Sequence, residues 1–183
     1  MNRIEIKLAG FGGQGIVLLG YIIGKGATIF DKKYATLTQV YGPEARGGAT
    51  STQIIISDQI IDYPHLIEPQ IMICMSQEAF TKFHKELGKN GKLILDKDLV
   101  KYNLKELKDY KVYEVPATKL AEKIGKKFIA NIVMAGAFTF ITKVVTYESM
   151  KKSILSSVPA GTEKLNEQAF NTGYEYGKEN FLL

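Results

Sequence analysis

The stretch RIEIKLAGFGGQGIVLLG, residues 3–20, decides the fold. Arg3–Ala9 alternates apolar and charged residues and stops at glycine, which is the period of a strand. Gly15–Phe30 is apolar on nearly all sides, as a buried helix is, and Gly20 and Gly24 let such a helix lie close to a sheet or another helix. Between strand and helix, Gly10, Gly12 and Gly15 satisfy G-x-G-x-x-G, with Gly13 and Gln14 inside the loop. Glycines permit the tight turn and let a ligand reach the backbone, and the first N–H groups of the helix carry the positive end of its dipole. Such a turn favours phosphate or carboxylate. It also serves as a plain structural connection, and both readings stand at this point.

Further along the chain, Tyr34–Val40 and the β-branched Ala49–Ser57 read as strands, with Ile60–Asp62 as a short return strand closed by Pro64. QIMICMS, residues 70–76, suits a buried parallel strand. Ser76 is placed to cap a helix over Gln77–Leu87, with Glu78 in its first turn. Lys92–Leu95 and Lys111–Val115 read as strands. Helices are expected over Thr118–Ile124, Asn131–Val144, Tyr147–Val158 and Thr162–Lys178, with Asn131 as a cap. The alternation predicts an α/β protein: one three-layer α/β/α domain over residues 1–183, Rossmann-like, with a mostly parallel, mixed sheet.

A dinucleotide fold places a ribose-binding acid about 20 residues after its glycine turn, at the end of the second strand. Here that end is Thr38–Val40, without an acid, and Asp31 precedes the strand. A stand-alone NAD-type nucleotide-binding protein is therefore the second reading, not the first.

YGPEARGG, residues 41–48, is the other unusual stretch. The chain has 24 Lys and Arg, of which only Arg3 and Arg46 are arginine. Arg46 thus puts a planar, multi-donor cation suited to carboxylate or phosphate into a glycine-flanked loop. Pro43 stiffens the loop, Glu44 can orient Arg46, and Gly47 and Gly48 allow another surface close. A solvated Glu–Arg pair on a surface turn is the plainer alternative. The loop is expected at the same sheet edge as Gly10–Gly15, where open α/β sheets place ligands.

Composition narrows the rest. The net charge of +5 comes from lysines spread along the chain rather than clustered with aromatic residues, which argues against nucleic acid. Cys74 is the one cysteine, so this chain alone cannot ligate an iron–sulfur cluster. No apolar run is long enough for a membrane span, no leader-like segment opens the sequence, and the expected compartment is the cytoplasm. His65 reads as a loop residue and His84 as exposed on a lysine-bearing helix; no paired acids, Ser–His–Asp set or zinc spacing is present.

GFGGQGIVLLG and YGPEARGGATSTQIIIS together, followed by QIMICMSQEAF, VPATKLAEKIG and ANIVMAGAF, resemble the gamma subunit of 2-oxoacid:ferredoxin (acceptor) oxidoreductases over nearly the whole chain. The short stand-alone form is most similar to the 2-oxoglutarate type. The resemblance implies a complex that decarboxylates a 2-oxoacid oxidatively to an acyl-coenzyme A. Thiamine diphosphate, Mg and iron–sulfur clusters would sit on alpha, beta and delta-type partner subunits, with ferredoxin or flavodoxin as acceptor. The gamma chain would complete the assembly near the coenzyme A site without being catalytic itself. Gly10, Gly12, Gly13, Gln14 and Gly15 would then offer backbone donors. Tyr41, Gly42, Glu44, Arg46, Gly47 and Gly48 would contact coenzyme A or a catalytic subunit. A homodimer of the isolated chain is compatible with all of this.

Overall fold

The computed structural model describes residues 3–40 and 48–181. Among them are β1 (Ile4–Phe11), β2 (Tyr34–Val40), β3 (Ala49–Ser57), β4 (Ile71–Cys74), β5 (Lys92–Asp96) and β6 (Lys111–Val115), in the sheet order β2-β3-β1-β4-β5-β6. β1, β4, β5 and β6 are parallel neighbours, whereas β3 is antiparallel to both β1 and β2. β2 therefore runs in the direction of β1 but is separated from it by β3. The sheet is mixed and mostly parallel, as expected.

The helices are α1 (Ile16–Lys25), α2 (Gln77–Phe83), α3 (Ala117–Ile124), α4 (Ala130–Thr142), α5 (Tyr147–Leu155) and α6 (Glu163–Asn180). Strand period two divides the core. Ile6, Leu8, Ile54 and Ile73 pack with Leu19, Phe138 and Phe170 on one face. Ala9, Met72, Cys74 and Leu95 pack with Ala79, Phe80 and Phe83 on the other. Both faces are covered, which is why β4 and β5 are nearly continuous apolar runs. Close approach of α4 and α6 needs glycine: a Cβ on Gly173 would lie 1.8 Å from the Val133 carbonyl oxygen.

The charged positions of β1 are buried as well, Glu5 and Lys7 being 3% exposed each. The Glu5 carboxylate accepts from the Ile67 and Glu68 N–H groups at 2.5 and 2.9 Å and from Arg3 Nε at 2.8 Å. Arg3 in turn donates to the Tyr63 and His65 carbonyls at 2.7 and 2.6 Å. Lys7 Nζ meets Glu86 Oε2 at 2.5 Å and lies 4.2 Å from the centre of the Phe83 ring. Alternation in β1 thus marks two kinds of interior, one apolar and one ionic, rather than an inside and an outside.

Several local expectations change. Residues 60–62 form no strand; they lead into the loop that Arg3 and Glu5 hold at the Tyr63 and His65 carbonyls and the Ile67 and Glu68 N–H groups. The helix expected to run to Phe30 ends in a π turn over Gly26–Phe30. The helix expected to reach Leu87 is α only to Phe83, followed by a tighter turn at His84–Glu86. Ser76 caps α2, accepting from the Ala79 N–H at 3.2 Å. His84 is buried rather than exposed, because its ring stacks on Phe80 at 4.5 Å and its Nδ1 pairs with the Phe80 carbonyl at 2.8 Å. Asn131 is not the cap of α4; that position is Ile129.

Candidate functional site

The glycine turn is built from inside the sheet. Gly10 is still paired in β1, opposite Thr50, and a Cβ there would come within 2.6 Å of Ile16 and 2.7 Å of the Gln14 amide oxygen. Gly12 and Gly13 face open space, and Gly13 has φ +92°. Gly15 begins α1 with φ +73°, and a Cβ there would strike the Asn131 amide 2.3 Å away. The Asn131 amide donates to the Gly15 carbonyl at 3.3 Å, locking the start of α1 to the start of α4. Gln14 closes the turn: its side-chain oxygen accepts from the Phe11 N–H at 2.6 Å and its amide donates to the Met75 carbonyl at 2.8 Å. The side chain therefore spans from the end of β1 to the end of β4, the pair of strands at which this sheet changes its direction of winding.

Of the second group of expected site residues, Tyr41, Gly42, Glu44, Arg46 and Gly47 lie outside the described residues. The strands that flank them do not. Val40 pairs with Ser51, which pairs with Ala9, so β2 ends level with the glycine turn on the carboxyl edge. Gly48 is half-buried just before β3, and the next residue is tethered: the Ala49 N–H donates to Glu78 in the first turn of α2 at 3.1 Å. Both expected loops are thus anchored on one edge.

A cleft of about 440 Å³ opens at this edge, lined by Gly13, Gln14, Met75, Thr118, Lys126, Lys127 and Phe128. Gly125 ends α3 in the left-handed conformation at φ +101° and turns the chain so that two lysines and an aromatic ring follow at the rim. Phe128 is 69% exposed. Lys127 has Glu122 at 3.6 Å, an exposed pair of little strength. The rim therefore combines positive charge, an open aromatic face and a glycine turn at a helix N-terminus, which suits a ligand with anionic groups and a flat ring. Sequence reasoning gave no role to Lys126, Lys127 or Phe128. Their one local signal is Gly125 after an amphipathic helix, which marks a turn but not its direction.

The floor of the cleft is fixed from β5. Asp96 Oδ2 accepts from the Thr118 N–H at 3.0 Å and the Thr118 hydroxyl at 2.6 Å, tying β5 to the start of α3. Burial pushes the Asp96 carboxyl up, against the pull of the hydrogen bonds from Thr118 and the Asp98 N–H. Thr118 is thereby held at the cleft with its hydroxyl proton already committed.

The family profile described as pyruvate ferredoxin/flavodoxin oxidoreductase matches residues 5–176. The chain belongs to this family. It is 48% identical over 178 residues to the 2-oxoglutarate synthase subunit KorC of Methanocaldococcus jannaschii, covering 97% of this chain and 95% of that one. The corresponding KorC of Methanothermobacter marburgensis is 44% identical, with 94% and 96% covered. The solved keto/oxoacid ferredoxin oxidoreductase gamma subunit from Geobacter sulfurreducens superposes with a TM-score of 0.87 at 34% identity, over 98% of each chain. A 2-oxoglutarate:ferredoxin oxidoreductase from Magnetococcus marinus shares the fold at TM-score 0.87 and 17% identity; the present chain spans 32% of that one.

Family membership and geometry dispose of the NAD-type reading together. The place beside β1 that a dinucleotide fold gives to its second parallel strand is taken by the antiparallel β3. Asp31, the one acid at a suitable count, accepts from the Thr146 N–H and hydroxyl at 2.9 and 2.8 Å and so holds Thr146, the N-cap of α5, in place. The oxidoreductase family's electron-transfer chemistry does not fit this chain's own donors either. Cys74 is buried in the α2 face, and burial pushes its thiol up to about 12. Among the described residues no three His, Cys, Asp or Glu side chains are grouped to hold a metal, and no helix is long and apolar enough to cross a membrane.

Proposed function

We propose that this chain is the gamma subunit of a 2-oxoglutarate:ferredoxin oxidoreductase and that its carboxyl edge handles coenzyme A. The observation that carries the first part is the near full-length identity to 2-oxoglutarate synthase subunits in two archaea. In this reading alpha, beta and delta-type subunits bring thiamine diphosphate, Mg and the clusters, and ferredoxin or flavodoxin takes the electrons. The reaction joins 2-oxoglutarate and coenzyme A to give succinyl-coenzyme A, carbon dioxide and two electrons. The chain's own residues move no proton in it; they bind and orient. The complex works in the cytoplasm, where coenzyme A is supplied.

The cleft supports the second part. Coenzyme A carries phosphates and an adenine ring, and the rim offers Lys126, Lys127, the Phe128 face and the N–H groups of the turn at Gly13. Gln14 has both polar atoms engaged, so it holds the turn rather than the ligand. Arg46, with Glu44 beside it in sequence, is assigned a phosphate of coenzyme A or an acid of a catalytic subunit. Tyr41, Gly42, Gly47 and Gly48 shape that loop.

Purification of the tagged chain from its own cells, followed by a dye-reduction assay with a panel of 2-oxoacids, tests the assignment. Recovery of larger subunits, with reduction that requires coenzyme A and is fastest on 2-oxoglutarate, is expected. A complex that prefers pyruvate or a branched 2-oxoacid overturns the substrate, and a lone chain without activity overturns the subunit role.

A further inference from the structure

β2, the outer strand of the sheet, has no charged residue and no proline from Tyr34 to Val40, in a chain of which 23% is charged. Free edges are normally guarded by such residues, because unpaired N–H and C=O groups recruit further strands. Tyr34 is 48% exposed and Leu37 36%. Next to the edge, α1 and its π turn turn an apolar stripe outward: Leu18, Tyr21 at 52% and Ile29 at 55% exposure. The widened turn, closed by the Asp31 N–H donating to the Gly26 carbonyl at 3.0 Å, is what carries Ile29 out of the core. A groove of about 240 Å³ runs between stripe and edge, lined by Tyr21, Gly24, Thr28, Ile29, Ala35 and Leu37. Two of the nearby cations are drawn back, while Lys32 stays exposed ahead of the strand. Lys25 Nζ donates to the Ser156 carbonyl at 3.0 Å and the Ser157 hydroxyl at 3.1 Å, and Lys33 Nζ to the Val144 carbonyl at 2.7 Å.

We infer that β2 is the seam of a symmetric dimer, in which two copies of this chain pair their β2 strands antiparallel about Leu37 and bring their α1 stripes together. A second copy fits for three reasons. Antiparallel pairing about a two-fold axis normal to the sheet continues the sheet and keeps the same face of both copies on one side, so each α1 stripe meets its own equivalent. The strand is uncharged, so self-pairing sets no like charges opposite one another. Leu18, Tyr21, Ile29, Tyr34 and Leu37 expose roughly 440 Å² per copy, so a pair buries on the order of 900 Å² before the rest of the strand edge is counted, close to the threshold of a specific interface.

Sedimentation of the full chain over micromolar concentrations tests this. The wild type is expected as a dimer. Leu37→Lys, which sets two ammonium groups face to face at the seam, is expected to weaken dimerisation by at least about tenfold, with the far-UV circular dichroism spectrum of the folded chain retained because Leu37 is partly exposed already. Leu37→Cys supplies a covalent readout. Residues opposite one another in an antiparallel pair have Cα atoms about 4.5–5.5 Å apart, within disulfide reach, so mild oxidation should link the copies through residue 37. Cys74, being buried, does not compete. A monomeric wild type overturns the inference, as does a Leu37→Lys dimer of unchanged affinity or a dimer in which position 37 does not cross-link. A β2 that becomes protected from hydrogen exchange only when a different subunit binds overturns it in favour of that subunit as the occupant.

Discussion

Single side chains at the carboxyl edge hold distant parts of the chain together. Gln14 joins the ends of β1 and β4 through two hydrogen bonds, so Gln14→Ala is expected to cost about 1–3 kcal/mol in denaturant unfolding. Gly15→Ala is expected to cost a similar amount, on the order of 1–3 kcal/mol, from a left-handed φ and collision with Asn131. Asp31 gives a pH-dependent case. Burial pushes its carboxyl up, but hydrogen bonds from Ser149 and Thr146 and the nearby Lys33 ammonium outweigh this and hold it below its ordinary 3.8. A carboxyl lowered on folding stabilises the protein above its unfolded value and loses that contribution as pH falls through the folded one. Asp31→Ala should therefore unfold more easily than wild type at pH 7, and urea titrations should show the gap closing below about pH 3.8. None of these links could be read from sequence. Gln14 was legible only as a polar residue inside a glycine turn, because its partner, the Met75 carbonyl, lies 61 residues away. The acid at position 31 was legible only as a failed ribose ligand.

Elements were more legible, and where they were misread the cause is physical. The strand, turn and helix over residues 3–25 followed from period and glycine placement, since both act within a few residues, whereas the π turn at Gly26–Phe30 did not. Residues 60–62 were misread because β-branched isoleucines mark a strand only where a neighbour offers its edge; here they lead into a loop that Arg3 and Glu5 hold further on, at Tyr63, His65, Ile67 and Glu68. His84 was misread because a lysine-rich helix hides the stacking face that Phe80 provides one turn earlier. Glycines in helices show the same dependence on context. Gly173→Ala in α6 would press a methyl into the Val133 carbonyl, and a loss on the order of 3 kcal/mol or failure to fold is expected. Gly24→Ala in α1 meets nothing within 4 Å, and a gain of about 0.5–1 kcal/mol is expected from helix propensity. Thermal melts of the two variants side by side check that distinction.

At the scale of the whole molecule, the sheet sorts roles to its edges. The carboxyl edge gathers the glycine turn, the flanks of residues 41–47 and the lysine-bearing rim of the cleft, while the lateral edge at β2 is uncharged. Family membership supplies the reaction and the role of a subunit; the proposed function places coenzyme A at the cleft. The central claim is that this edge serves coenzyme A and not the 2-oxoacid. The most direct measurement is steady-state kinetics of the purified complex carrying Lys126→Ala and Lys127→Ala together in this chain, titrating each substrate in turn. The account predicts a KM for coenzyme A raised by about tenfold or more, as for the loss of two phosphate contacts, with the KM for 2-oxoglutarate unchanged. An unaltered KM for coenzyme A in an intact, active complex would contradict it.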